Sequence, residues 1–274
     1  MISNKPKTFM LHLIKQVQQN EVTALAAQIS YYLLLAFFPF LMFLITLLNY
    51  TPLTDQAMLE QLSLILPDQA YKMVIDIINE TVRAGNATLL SIGVIAAIWT
   101  SSKGTASVIR AMNKAYRVEE DRPFWKTKGI GIIFTLCLAF VILFSLGLLV
   151  FGQVIGDLLF SSVWMTDIFN RIWALARYII PIITLFATFA ALYRWGPNHR
   201  LKFRDILLGT FFSTMGWIIA SLGFSFYVNN FGNFARVYGS IGGMIALLLW
   251  LYISSIITLL GAEINSAYTT LYRK

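Results

Sequence analysis

Residues 245–268 read IALLLWLYISSIITLLGAEINSAY, an apolar run that ends on a single carboxylate, Glu263. At 1.5 Å of helical rise per residue, about twenty such residues cross the roughly 30 Å of a bilayer's hydrocarbon. Ile241–Ala262 therefore reads as a membrane-spanning helix, with Glu263 just past its end. A carboxylate inside the hydrocarbon is functional by default, so where that span ends bears directly on function.

The rest of the chain has the same character. Its 274 residues are 58% hydrophobic and only 12% charged, whereas a soluble domain carries roughly a quarter charged residues. The apolar residues come in blocks of about twenty rather than in alternating ten-residue strands, which favours helices over a barrel. The expected fold class is an all-α integral membrane protein, one membrane domain over 1–274. Its six spans lie at about 29–50, 86–102, 129–151, 172–193, 206–228 and 241–262. No cleavable signal peptide is expected: the first apolar stretch follows Lys5, Lys7, His12 and Lys15, is interrupted by Pro39, and precedes no small-residue cleavage site. With one cysteine, Cys137, and two histidines, His12 and His199, no thiol or imidazole cage is expected, and no metal or cofactor.

Basic residues orient the spans. Most of the 21 fall in the N-terminal tail, the 103–128 stretch, the 194–204 loop and the C-terminal tail. Lys72, Arg83, Arg171, Arg177 and Arg236 fall on the other side. The positive-inside rule then places both termini in the cytoplasm of a bacterial inner-membrane, multi-pass protein. The outer loop 51–85 is acidic and amphipathic, with Ala70, Met73, Val74, Ile77 and Thr81 at helical spacing. It reads as an outer helix lying on the spans or at the headgroups, with a lid over an outward cavity as the alternative.

Small residues mark packing seams. Gly209, Ser213, Gly216, Ala220 and Gly223 form a stripe on the fifth span, and Gly239, Gly242, Gly243 and Ala246 open the sixth. In lipid, such stripes let helix backbones approach closely. Tight packing is one reading and a sliding interface for alternating access is the other. Pro39 and Pro181 occupy similar depths in oppositely directed spans, a weak sign of inverted repeats.

Lys103, Ser107, Arg110, Lys114 and Arg117 share a helical face after the second span, while Ile109, Met112 and Tyr116 fall towards another. The basic face is a topology anchor or a surface that collects anionic headgroups, each base near such a leaflet being worth about 1 kcal/mol. It lacks an aromatic stacking platform, so nucleic acid is not an expected partner. Lys103 and Glu263 fall at one depth, and a glutamate at a helix C-terminus opposes the macrodipole and needs a basic partner. A structural ion pair with a base such as Lys103 and a coupling site both remain open. Trp250, Ser254, Thr258, Gly261 and Asn265 form a polar face expected to point inward.

Five motifs together carry a family resemblance: AAQISYYLLLAFFPF (26–40), WTSSKG (99–104), LYRWGPN (192–198), VYGSIGG (237–243) and LLLWLYISSIITLLGAEIN (247–265). The chain resembles the YihY/BrkB family of bacterial inner-membrane proteins over nearly its whole length. That family once bore the label ribonuclease BN, and some members are associated with serum resistance or envelope lipid handling. The residues argue against nuclease chemistry, which needs carboxylates or a His/Asp cluster holding metal ions about 4 Å apart. Glu21, Glu119, Glu120, Asp121, Asp205 and Glu263 are scattered, and Glu119–Asp121 reads as a solvated loop. No phosphate loop, nucleophile elbow or zinc motif appears, so no enzyme is expected.

The expected function is a transporter or translocase of an anionic lipid or amphiphile. Trp99, Lys103, Tyr238, Gly239, Ser240, Trp250, Ser254, Thr258, Glu263 and Asn265 are the expected path or gate, and Arg110, Lys114 and Arg117 the expected headgroup contacts. An ion- or proton-coupled solute transporter or channel, and a non-transporting envelope scaffold, are the alternatives. The expected partners are membrane lipids on the cytoplasmic side, with homo-oligomerisation left open.

Overall fold

A computed structural model describes residues 5–49, 87–137, 140, 141, 144, 167–199, 201–230 and 241–272. The expected outer loop 51–85, the end of the expected third span, and Tyr238, Gly239 and Ser240 lie outside the described residues. Every regular element among the described residues is helical: α1 (Lys5–Gln19), α2 (Val22–Asn49), α3 (Ala87–Tyr116), α4 (124–137), α5 (Asp167–Trp195), α6 (Phe203–Asn230) and α7 (Gly242–Tyr272). Among these residues, three stretches are long and apolar enough to cross a membrane: Tyr178–Trp195, Phe203–Asn230 and Gly242–Tyr272. Val22–Phe37 is a shorter apolar helix.

The chain divides into two compact units, Met1–Leu34 with Ser102–Lys274, and Leu35–Ser101. Trp99, 58% exposed, belongs to the second. All that follows concerns the first.

Two left-handed residues shape its helix ends. Glu21 (φ 54°) closes α1, and its carbonyl accepts the amide of Leu25 (3.0 Å), the first bond of α2. Arg117 (φ 55°) closes α3, where Val118 N–H reaches back to Asn113 O (2.9 Å) and Arg117 N–H to Lys114 O (3.1 Å). That pair of bonds is a Schellman motif, which satisfies carbonyls that a helix end otherwise leaves bare.

Contacts along α7 give the course of α1 and α2. Phe9 meets Tyr272 (ring centroids 6.4 Å apart), Gln16 bonds to Ser266 (2.9 Å), and Asn20 bonds to Glu263 (2.7 Å). Val22, Ala26 and Ile29 then share a buried cluster with Leu259 and with Ala111 of α3. The N-terminal segment and the start of α2 thus run antiparallel to the C-terminal half of α7.

The most extensive helix contact is between α6 and α7, followed by α5 with α6. At the α6–α7 crossing, a Cβ added to Gly209 would collide with the Gly261 carbonyl and the Asn265 amide. One added to Gly261 would strike Ser213 Oγ and Tyr193 OH. Only two glycines allow backbones this close. Farther along, a Cβ added to Gly216 would lie 3.3 Å from Ile257, whereas one added to Gly223 or Gly243 would meet nothing within 4 Å among the described residues. The close seam occupies the first half of α6.

Candidate functional site

The α6–α7 crossing forms the floor of a buried polar junction. Tyr193, fully buried near the end of α5, donates to Thr258 O (2.7 Å) and shares a hydrogen bond with Ser213 Oγ (2.6 Å). Asn265, also fully buried, accepts the Gly209 amide on Oδ1 at 2.6 Å. Three helices are therefore joined by side-chain bonds where glycines bring their backbones together.

Next to this floor lies Glu263, 2% exposed. Its Oε1 accepts Asn20 Nδ2 at 2.7 Å, and its Oε2 has no hydrogen-bond partner. The structure corrects the expected pairing. Lys103 is exposed, and the carboxylate is held by the neutral amide of Asn20 in the turn that follows α1. Lys114 and Arg117 are the cations that act on it electrostatically, while Lys114 Nζ itself pairs with Glu21 at 3.2 Å. A buried carboxylate with one satisfied oxygen is costly, since an unsatisfied buried polar group costs roughly 1–3 kcal/mol and a charged one more.

Gln16 closes the junction from α1. Its Nε2 donates to Ala115 O (2.9 Å) and to Ser266 Oγ (2.9 Å), and Ser266 Oγ donates to Ala115 O as well (2.6 Å). One carbonyl at the end of α3 thereby ties α1, α3 and α7 together.

Tyr116, the last residue of α3, places its hydroxyl beside Asn265 and feels the charge of Glu263. Burial first of all, reinforced by Tyr193 and Glu263 and opposed by Asn265, holds this phenol well above its ordinary range, so it stays protonated. Tyr116 also lines a recess of about 380 Å³, with His199, Leu201, Lys202, Asp205, Ser266, Thr269 and Thr270 around it. Four buried atoms around the junction have no hydrogen-bond partner among the described residues: Gln16 Oε1, Tyr116 OH, Glu263 Oε2 and Asn265 Nδ2.

A second network braces the rim. Asn113 donates to Glu120 Oε2 (2.7 Å) and accepts the Asn198 amide (2.7 Å). Arg122 grips both oxygens of Glu120 at 2.6 Å and donates to Gly196 O at 3.0 Å. The Glu119–Asp121 run is thus more than a solvated loop, because Glu120 locks it to the loop after α5. That grip holds the Glu120 carboxyl below its ordinary value, Arg122 hydrogen bonding being the largest cause. The LYRWGPN stretch explains itself here. Tyr193 is the floor, Arg194 caps Leu201 O (3.0 Å), and a Cβ at Gly196 would crowd Leu192 O and Met112 Sδ.

The remaining sequence candidates fall in different surroundings. Arg110 is exposed and donates to the buried Ser107 Oγ (3.0 Å), and Arg117 is exposed. Trp250 donates to Ser221 Oγ (3.3 Å) and meets Trp217 edge-on at 5.6 Å. Ser254 is half-buried and its carbonyl accepts Thr258 Oγ1 (2.8 Å). Ala220 is also half-buried. Thus Thr258, Glu263 and Asn265 meet at the junction, whereas Lys103, Arg110, Lys114 and Arg117 stay at the surface. Gln16, Asn20, Tyr116 and Ser266 had no place among the sequence candidates. Their only signal was helical spacing, Gln16 to Asn20 and Glu263 to Ser266, with polar residues recurring on one face.

The model for the family "Virulence factor BrkB" matches residues 13–273. The chain belongs to the BrkB family. A ribonuclease-like protein, YfkH, of Bacillus subtilis (strain 168) is 40% identical over 259 residues, covering 94% of this chain and 94% of that protein. A UPF0761 membrane protein of Pseudoalteromonas atlantica is 27% identical over 271 residues, covering 95% and 86% of the two chains. One from Alteromonas mediterranea is 27% identical over 261 residues, covering 91% and 84%. No solved structure matches. With its long apolar helices, the chain is a membrane protein of the BrkB/UPF0761 family. Within the BrkB match lie both Gln16–Asn20 at the end of α1 and the carboxylate they approach on α7.

Proposed function

We propose that this BrkB-family protein is a transporter of an anionic lipid or amphiphile in the bacterial inner membrane, without enzymatic activity. In this reading six spans cross the bilayer with both termini in the cytoplasm, and the polar junction is the closed cytoplasmic gate. The observation that carries it is Glu263, buried in the C-terminal half of the apolar helix α7 with one oxygen held by Asn20 and the other unpartnered among the described residues. Ion pairs and buried charges add little to stability. Ionisable groups near membrane depth usually mark a pathway. The exposed bases Lys103, Arg110, Lys114 and Arg117 would collect headgroups beside that gate.

Purified protein in liposomes containing a fluorescent anionic phospholipid tests this. Transfer between leaflets that rises with protein and falls in Glu263→Gln supports transport of an amphiphile. Absence of lipid and ion flux under every gradient sinks it. A second reading, ion-coupled movement of a small solute, is favoured by the unpartnered Glu263 Oε2. Cation or proton flux without lipid transfer selects it.

A further inference from the structure

We infer that the recess beside Tyr116 is a proton port, through which Glu263 exchanges a proton with the solvent on the side that carries both chain ends. The inference builds on the gate reading by naming the ion that reaches the gate and its route.

Two residues connect the recess to the carboxylate. Tyr116 lines the recess, its hydroxyl lies beside Asn265, and it feels the charge of Glu263. Ser266 lines it too, one helical turn from Glu263 on α7. Among the described residues, Gln16 Oε1 and Glu263 Oε2 are buried acceptors without a partner, and Tyr116 OH and Asn265 Nδ2, which lie beside each other, bond to nothing else. Buried polar groups in proteins are almost always satisfied, by protein or by ordered water. Such a set beside an open recess and a carboxylate fits a hydrated relay.

The proton step balances simply. A hydronium ion in the recess gives a proton towards Glu263 Oε2 by way of the Tyr116 hydroxyl, which gains one proton as it passes its own on, and is left as water. Neutral Glu263 keeps its Oε1 bond to Asn20, and its new O–H becomes a donor. Gln16 Oε1, one turn before Asn20, is the unused acceptor for it. The groups around Glu263 suit either state. Asn20 comes from the turn after α1, where Glu21 holds Lys114. Lys114, Tyr116 and Arg117 come from α3, and α2 contributes the apolar Val22. The recess itself carries Lys202, His199 and Asp205.

Infrared spectroscopy of the protein in nanodiscs, with no cargo present, tests this directly. The protonated-carboxyl band is followed through a pH titration and then on transfer to heavy water. A band that grows on acidification and vanishes in Glu263→Gln is expected. Its deuterium exchange should slow at least about tenfold in Tyr116→Phe. In Lys202→Cys, with Cys137→Ser, a bulky thiol reagent that plugs the recess should slow the exchange relative to the same variant left unmodified. A band that survives Glu263→Gln, no band at any pH, or equally fast exchange in Tyr116→Phe and plugged protein overturns the port. Failure here leaves lipid transport standing, and silent flux assays leave the port standing.

Discussion

Asn20 Nδ2 donates to Glu263 Oε1 at 2.7 Å across 243 positions of sequence, so the turn after α1 holds the buried carboxylate of the last span. Asn20→Ala should leave that carboxylate without its bond and cost roughly 1–3 kcal/mol. Glu263→Gln can keep the contact and should cost less. Thermal unfolding in detergent orders the variants; equal melting temperatures for wild type and Asn20→Ala would contradict the contact's role.

Gly209→Ala puts a methyl group into the Gly261 carbonyl of the facing helix, and Gly261→Ala puts one into the Ser213 and Tyr193 hydroxyls. Each should cost about 1–3 kcal/mol or more, because a crossing of two packed helices has little room to yield. Gly223→Ala, with open space around it, should be neutral or slightly stabilising through helix propensity. The same melting assay separates them.

Arg117 holds a left-handed conformation for which a side chain pays roughly 1–2 kcal/mol. Arg117→Gly should therefore raise stability slightly while removing an exposed base. Glu21→Gly is a less clean test, because it also removes the pair with Lys114.

The Glu120–Arg122 clamp sets a pH dependence. Glu120 lies below its ordinary value of 4.5 in the fold, so its stabilisation is fully present above that value. It is lost as pH falls through the lowered folded value. The melting temperature of wild type should exceed that of Glu120→Gln at neutral pH, and the gap should close on acidification. A gap that widens on acidification contradicts the clamp.

Much of the fold can be read from the sequence because apolar blocks announce helices whatever surrounds them. Those of α5, α6 and α7 coincide with stretches long enough to cross a membrane. The polar face through Thr258 and Asn265 was equally visible, since a stripe of polar residues on an apolar helix has to turn away from lipid. The partner of Glu263 was not visible. Charge alone pointed to a base at the same depth, but Asn20 is a neutral residue in a tail whose lysines drew attention to topology. Only the antiparallel course of α1 along α7 brings it there, and no local pattern encodes which helices become neighbours. The role of Tyr116 was hidden for a similar reason: its helical spacing placed it with Ile109 and Met112, and only the tertiary fold puts its hydroxyl beside Asn265.

The gate itself is tested by tying α1 to α7. Gln16→Cys with Ser266→Cys, in a Cys137→Ser background, places thiols where the native side chains bond. A short cleavable cross-linker should stop flux of the anionic lipid in liposomes, and its cleavage should restore it. Flux that continues unchanged with the two helices cross-linked contradicts a gate at this junction.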